Sequence, residues 1–193
     1  LEGPLETFEY EGQFGSTASN YGLPRFRQCR FQAAYPFAQV SLFDPDLPVH
    51  VRIRGFNPFV PGDADASGYP CAVLRYQVTN VGEAPLAVSV CGNTSNFIGH
   101  GLELEQAGNR NRFRHGDRLQ GFWMSSKDVP ASSEFWGTMA LATTSRESVS
   151  YRTAWQPDQR WGNSYLDFWD DLSADGRVTE REGAGQAYPV ASL

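Results

Sequence analysis

The sequence has few cysteines and no long apolar run, and each scarcity narrows the possible protein classes. Its three cysteines, Cys29, Cys71 and Cys91, form no CxxC pair and have no histidine at metal-ligand spacing. An odd, sparse count favours buried free thiols in a reducing compartment, so a cytoplasmic location is expected. The longest apolar runs fall far short of the roughly 18 residues that cross a bilayer, so no membrane-spanning segment is expected. The opening residues 1–4 lack the basic and apolar stretches of a signal peptide.

Lysine is nearly absent, and the charge balance is acidic. The 193 residues carry 16 basic and 22 acidic side chains, a formal net charge of −6, and Lys127 is the single lysine. This balance argues against nucleic acid as the main partner. One arginine cluster alternates with Asn, Phe, His and Asp, which favours a solvated strand face over a phosphate-binding track; its members are Arg110, Arg112, Arg114 and Arg118.

Catalytic motifs are also missing. The sequence contains no Gly-x-Ser-x-Gly elbow, no phosphate-binding loop and no His-Glu-x-x-His, and its three histidines are isolated. Two close carboxylate pairs exist, Asp44 with Asp46 and Asp63 with Asp65. Both lie in Pro- or Gly-bounded turns, where aspartate commonly accepts hydrogen bonds from backbone amides. A role in bracing turns is therefore favoured over glycosidase acid–base chemistry.

The clearest pattern in the sequence is an alternation of apolar and polar residues with a period of two. Residues 1–24 are rich in Gly, Ser and Asn without a period, and predict an irregular N-terminal arm. From residue 25 onward apolar residues alternate with polar ones, as at 38–42 and 49–53 around the turn 44–48, and at 74–78 and 86–90 around the turn 80–84. Such alternation is typical of antiparallel sheets with one face on a core. We therefore predict an all-β fold over 25–193, an antiparallel β-sandwich with long loops.

Further elements follow from the same patterns. Strands are predicted at Arg112–Phe113, Gln120–Ser125, Gly137–Thr143 and Val149–Trp155, with a truncated strand at Tyr188–Leu193. One short helix is predicted near the C-terminus, from Ser164 to Leu172, and ended by Gly176.

One segment matches the ligand spacing of a calcium loop. Oxygen donors occupy positions 1, 3, 5, 9 and 12, and glycine occupies position 6; the donors are Asp171, Ser173, Asp175, Thr179 and Glu182. An EF-hand needs a helix after position 12, but residues 183–185 read Gly-Ala-Gly. A helix C-terminus closed by an Asp-Gly turn is therefore favoured, and we expect no metal and no cofactor.

Large aromatic residues beside Pro- and Gly-rich stretches indicate an exposed apolar surface that could bind a partner. The segment 55–70 is long and irregular, and it is either functional or a self-packed loop that supports the sandwich. Four aromatic residues are candidates for an interface with a missing partner: Phe56, Phe59, Trp155 and Trp161. If such a patch is exposed, the isolated chain is expected to associate into a homodimer.

Several blocks of the sequence resemble one known family. They are Tyr35–Val90, GNRNRF at 108–113, FWGTMALAT at 135–143 and LDFWDDLSADGR at 166–177. In this order they resemble the N-terminal domain of glycoside hydrolase family 116, the bile-acid β-glucosidase or non-lysosomal glucosylceramidase type of enzyme. The resemblance covers about residues 25–180 and implies a β-sandwich, in agreement with the alternation.

The resemblance also implies that this chain is not catalytic by itself. In that family the Glu nucleophile and the Asp acid/base lie in a separate C-terminal (α/α)6 barrel, so no catalytic residue is transferred to this sequence. We expect a domain that packs against and supports that barrel in the same polypeptide. One alternative is a carbohydrate-binding sandwich that uses exposed aromatics, drawn from Trp123, Trp136, Trp155, Trp161 and Trp169. Another is an autonomous hydrolase that uses Asp63 and Asp65 or another carboxylate pair.

Overall fold

The computed structural model describes residues 23–99, 108–147, 149–155, 163–180 and 190–193. The chain divides into two compact units, Leu1–Ala87 and Val88–Leu193. The boundary falls inside the region for which the sequence predicts one sandwich. Residues 1–22, which make up nearly all of the predicted arm, lie outside the described residues.

The first unit is built on a four-stranded antiparallel sheet with strand order β1-β2-β3-β4. Its strands are β1 Gln28–Ala34, β2 Phe37–Phe43, β3 Val49–Phe56 and β4 Val73–Asn80, and a single-turn helix α1 spans Ala64–Ser67. The predicted β2–β3 hairpin is confirmed, with Val40 opposite Ile53. Its turn is closed by the Leu47 amide, which donates to the carbonyl of Asp44 at 3.2 Å.

The second unit combines two small antiparallel sheets and a helix. The strands are β5 Asn93–Ser95, β6 Asn109–His115, β7 Gln120–Ser126, β8 Met139–Thr143 and β9 Val190–Ser192. Strands β6-β7-β8 form one sheet and β5-β9 the other. Phe122 and Met124 of β7 pack with Ala191 of β9, so both sheets contribute to one core.

The helix of the second unit, α2, spans Asn163–Asp175 and confirms the predicted one. Phe168 on this helix packs with Trp155 and Val178 in a second buried cluster. The helix ends at Gly176, whose φ of 78° lies in the left-handed region that favours glycine. The fold class is therefore all-β and antiparallel, as predicted, with one helix of appreciable length among the described residues.

Two predicted strands are wrong in this structure. Residues 86–90 form no strand, and β4 pairs with β3 instead. Pro85 stands at the head of the predicted segment and cannot donate a ladder hydrogen bond. The segment 149–155 is reduced to a single bridge between Arg152 and Ser192. There the amide of Thr153 donates to the Glu180 carboxylate at 3.1 Å, so a side chain takes the place of a neighbouring strand.

The cysteines are all free, but they are less buried than expected. Cys29 and Cys91 are half-buried and Cys71 is exposed. Among the helices that the structure describes, none is both long and apolar enough to cross a membrane.

Candidate functional site

The two close aspartate pairs brace turns. The buried carboxylate of Asp44 accepts hydrogen bonds from the amides of Asp46 at 3.0 Å and Arg27 at 3.3 Å. The carboxylate of Asp63 caps helix α1 and accepts from the Ala66 amide at 2.8 Å. All three hydrogen bonds run from backbone amides to a carboxylate, as the sequence predicted, and they give Asp44 and Asp63 local structural roles.

The irregular segment 55–70 is held together by its own hydrogen bonds. The Val60 amide donates to Ser67 Oγ at 3.0 Å, and that hydroxyl lies 2.7 Å from the carbonyl oxygen of Asp63. Phe59 remains exposed, and its ring meets Tyr35 edge-on with the centroids 5.3 Å apart. The backbone of this loop is therefore self-packed, while the Phe59 side chain is partly exposed.

The other aromatic interface candidates differ in their placement. Phe56 is half-buried on β3, with its ring tilted against Phe37 at 6.1 Å. Trp155 is only 5% exposed, and its indole Nε1–H donates to Ser192 Oγ at 2.8 Å. The expectation that Trp155 faces a partner is therefore corrected, because its ring stacks on Phe168 in the core. Trp161 lies outside the described residues.

A buried arginine organises the end of the second unit. The side chain of Arg152 is fully buried, and its Nη1 and Nη2 lie 2.8 Å and 2.6 Å from carboxylate oxygens of Asp167 and Asp171. Its Nε–H donates to the carbonyl oxygen of Thr179 at 3.2 Å. The two aspartates are four residues apart on α2 and so lie on one face of the helix. This pairing explains why acidic residues are tolerated toward the negative end of the helix dipole.

Asp171 is the most heavily bonded carboxylate of this cluster. Besides Arg152, it accepts hydrogen bonds from the Thr179 amide at 2.7 Å and the Thr179 hydroxyl at 2.8 Å. Burial acts to raise the pKa of Asp171, but these hydrogen bonds and the Arg152 charge outweigh it and hold the pKa below its ordinary value of 3.8.

The described calcium-loop candidates all take part in local hydrogen bonds. Asp171 and Thr179 bond to each other beside Arg152, whose guanidinium already supplies positive charge. Asp175 accepts from the Arg177 amide at 2.9 Å, and the Ser173 hydroxyl donates to the Asp170 carbonyl at 3.4 Å. Glu182 lies outside the described residues. Over the described ranges, no three His, Cys, Asp or Glu side chains are grouped so as to hold a metal ion.

The first unit presents a largely apolar sheet face that is not fully covered. We call it the apolar sheet face; its members, which share one side of the four strands, are Cys29, Phe31, Ala33, Ala38, Val40, Leu42, Val49, Val51, Ile53, Leu74, Tyr76 and Val78. Phe31 is 57% exposed, and Leu74 and Tyr76 are exposed as well. All nine buried apolar side chains among the described residues belong to the second unit. The alternation identified this face correctly, and its members are half-buried or exposed.

Tryptophans with exposed rings lie in the second unit. Trp123 on β7 and Trp136 in the loop before β8 are exposed, whereas Trp169 is half-buried. The alternative of a sugar-binding surface therefore reduces, within the described residues, to Trp123 and Trp136.

The family assignment agrees with these features. The sequence matches the family model described as beta-glucosidase 2, glycosyl-hydrolase family 116 N-term, over residues 5–192. This span is nearly the whole chain and includes both units. The chain therefore belongs to glycoside hydrolase family 116, as an N-terminal domain of that family.

Proposed function

We propose that this chain is the non-catalytic domain of a retaining β-glucosidase or glucosylceramidase type of enzyme. In this proposal it packs against, and supports, a C-terminal (α/α)6 catalytic domain of the same polypeptide. The observation that carries the proposal is the apolar sheet face in a chain of this family. A monomer rarely exposes a contiguous apolar patch of more than a few hundred Å² unless a partner covers it.

The chemistry of the face fits a domain interface. Aromatic and branched side chains such as Phe31, Val40 and Ile53 project from one side of the sheet. The opposite side is more polar and carries arginines, among them Arg30 and Arg52, although Phe37 at the end of the sheet is exposed there too. Interfaces between domains of one chain typically bury about 600–1,500 Å², an area that a four-stranded sheet can supply.

The test is to express this chain and the segment that follows it in the parent polypeptide as two separate proteins. Mixing them should give a 1:1 complex in sedimentation analysis, with a catalytic domain that melts at a higher temperature than alone. Phe31→Glu places a charge on the apolar sheet face and should weaken the complex at least about tenfold. Arg30→Glu is the matched control, because residue 30 points to the opposite side of the same strand.

A weakened complex with Arg30→Glu but not with Phe31→Glu would contradict the choice of face. Failure of the two wild-type proteins to associate at all would contradict the supporting role.

Catalysis is tested separately on aryl β-glucosides. The purified chain should show no turnover, because the carboxylates of Asp44 and Asp63 are committed to turn hydrogen bonds. Turnover that Asp63→Asn abolishes would favour an autonomous hydrolase instead.

A further inference from the structure

The three-stranded sheet of the second unit has an outer face that differs from its inner one. Phe113, Phe122 and Met124 point to the inner side and pack in or against the core. The residues between them therefore point outward, and Arg112 on β6 lies opposite Trp123 on β7. We call this outer side the Trp123 face; the members that matter here are Arg110, Arg112, Arg114, Trp123, Ala140 and Ala142.

The indole of Trp123 stands above small neighbours on one side. Its cross-strand neighbour on β8 is Ala140, and the next pair along the ladder is Gly121 with Ala142. A Cβ on Gly121 would come within 2.2 Å of the Leu141 carbonyl oxygen and 2.5 Å of the Ala142 Cα, so β7 and β8 approach closely only with glycine there. These small residues leave the tryptophan side chain 40% exposed in the middle of the sheet.

Arg114, on the neighbouring strand β6, makes a cation–π contact with the indole of Trp123. The guanidinium carbon of Arg114 lies 4.9 Å from the centroid of the Trp123 ring. A cation at this distance is attracted to the negative face of the ring, which favours the ring orientation seen here. A ring fixed in advance loses little freedom when a ligand packs on it.

The charge of the Trp123 face is of one sign. Strands β6, β7 and β8 contain three arginines and no carboxylate. Arg110, Arg112 and Arg114 form no ion pair in the part of the chain that the structure describes. This concentration of positive charge, in a chain whose net charge is −6, is electrostatically complementary to an anionic ligand.

We propose that the Trp123 face binds glycans that carry carboxylate groups, of the uronate type. The guanidinium of Arg114 covers one face of the indole, so a sugar packs on the other face. The apolar C–H side of a pyranose ring is weakly positive and fits that negative aromatic face. Arginine matches a carboxylate with two parallel hydrogen bonds, and Arg112 and Arg114 lie beside the ring. A single-stranded nucleic acid fits less well, because it requires successive aromatic side chains and the sheet face offers one. This inference does not depend on the supporting role proposed above.

The test is a calorimetric titration of the full chain with tetragalacturonate, with cellotetraose as the neutral ligand of equal length. The acidic tetramer should bind at least about tenfold more tightly than the neutral one at low salt, and the difference should shrink in 0.5 M salt. Trp123→Ala should weaken binding of the acidic tetramer about tenfold or more, and Arg112→Gln should weaken it several-fold.

Matched controls separate a site from general electrostatics and from misfolding. Trp136→Ala removes another exposed indole, and Arg52→Gln removes an equal charge from a different sheet; neither should change the affinity. Ala140→Glu keeps the tryptophan, adds a carboxylate beside it at an exposed position, and should abolish acidic binding without altering the melting temperature.

Three outcomes would overturn the proposal: no binding of the acidic tetramer at millimolar concentration, equal losses in Arg52→Gln and Arg112→Gln, or tighter binding of single-stranded DNA than of tetragalacturonate.

Discussion

At the scale of single residues, Arg152 has the most demanding environment in the described chain. Its fully buried guanidinium is paired with Asp167 and Asp171 on one helix. Burying an ion pair brings little net stability, but removing one partner leaves an uncompensated charge away from water. The cluster therefore fixes where α2 packs, and its loss is expected to be costly.

Replacing Asp171 should test this directly. Asp171→Ala removes a carboxylate from Arg152 and the acceptor for two Thr179 hydrogen bonds. It should lower the free energy of unfolding by about 3–5 kcal/mol in urea titrations. Asp175→Ala is the control, because that exposed carboxylate accepts only a local bond from Arg177 and should cost about 1 kcal/mol or less. Equal losses in the two variants would contradict the role of the buried cluster.

The same carboxylate predicts a direction for pH. Because the pKa of Asp171 is held below 3.8 in the folded state, the unfolded state binds its proton first as acid is added. The stabilisation is fully present above the unfolded value and is lost as pH falls through the lower folded value. Melting temperatures from pH 7 down to pH 2 should therefore fall more steeply in acid for the wild type than for Asp171→Asn. Parallel acid profiles would show that Asp171 does not carry this effect.

The cysteines should differ in reactivity. Burial raises the pKa of the Cys91 thiol to about 11, so at pH 8 only about one molecule in a thousand carries the reactive thiolate. Cys71 is exposed. Iodoacetamide followed by peptide mass spectrometry should label Cys71 at least tenfold faster than Cys91 in the folded chain, and the difference should vanish in urea. Similar rates in the folded chain would contradict the burial of Cys91.

At the scale of elements, the structure contradicts the expectation that residues 86–90 form a strand with one side on the core. Val88 lies in the middle of that segment, yet it is 52% exposed and lies in no strand. Val88→Asp should therefore change the melting temperature little. Phe122 on β7 is almost fully buried, and Phe122→Ala should cost about 3–5 kcal/mol. If Val88→Asp unfolds the chain, the strand predicted at 86–90 is real after all.

Local patterns predicted the elements whose signals are local. The β2–β3 hairpin has its turn and both alternating strands within about twenty residues, and α2 has its apolar spacing and Gly176 beside it. Pairing between distant segments leaves no such trace. Residues 86–90 alternate as well as β3 does, but which segment finds a partner is decided by the rest of the chain.

For the Arg152 cluster and the Trp123 face, the sequence shows the residues but not how they pair. Asp171 occupies the first position of the calcium-loop spacing, which predicts a cation beside its carboxylate. Its actual partner, Arg152, lies 19 residues away and belongs to no recognisable motif. The arginines of β6 and the single Trp123 were both visible in the sequence, but only the strand register places them side by side.

At the scale of the whole molecule, stability should be uneven between the two units. The buried apolar side chains of the described residues all lie in Val88–Leu193, whereas the first unit has a partly exposed apolar sheet face. Amide exchange requires opening of the local hydrogen bonds, and the opening energy rises with the apolar contacts that must be broken.

Hydrogen exchange on the intact chain should reveal this difference. Amides of β7, beside Phe122 and Met124, should exchange at least about tenfold more slowly than those of the central strands β2 and β3 of the first unit. Strands β2, β3 and β7 each pair with a neighbour on both sides, so fraying of an edge strand does not affect the comparison. Adding the catalytic partner proposed above should slow exchange in β2 and β3 more than in β7, because binding opposes those openings that disrupt the apolar sheet face. Equal protection of the two sheets in the isolated chain would mean that the apolar sheet face is already covered in solution. If self-association covers it, exchange in β2 and β3 should slow further as the protein concentration rises.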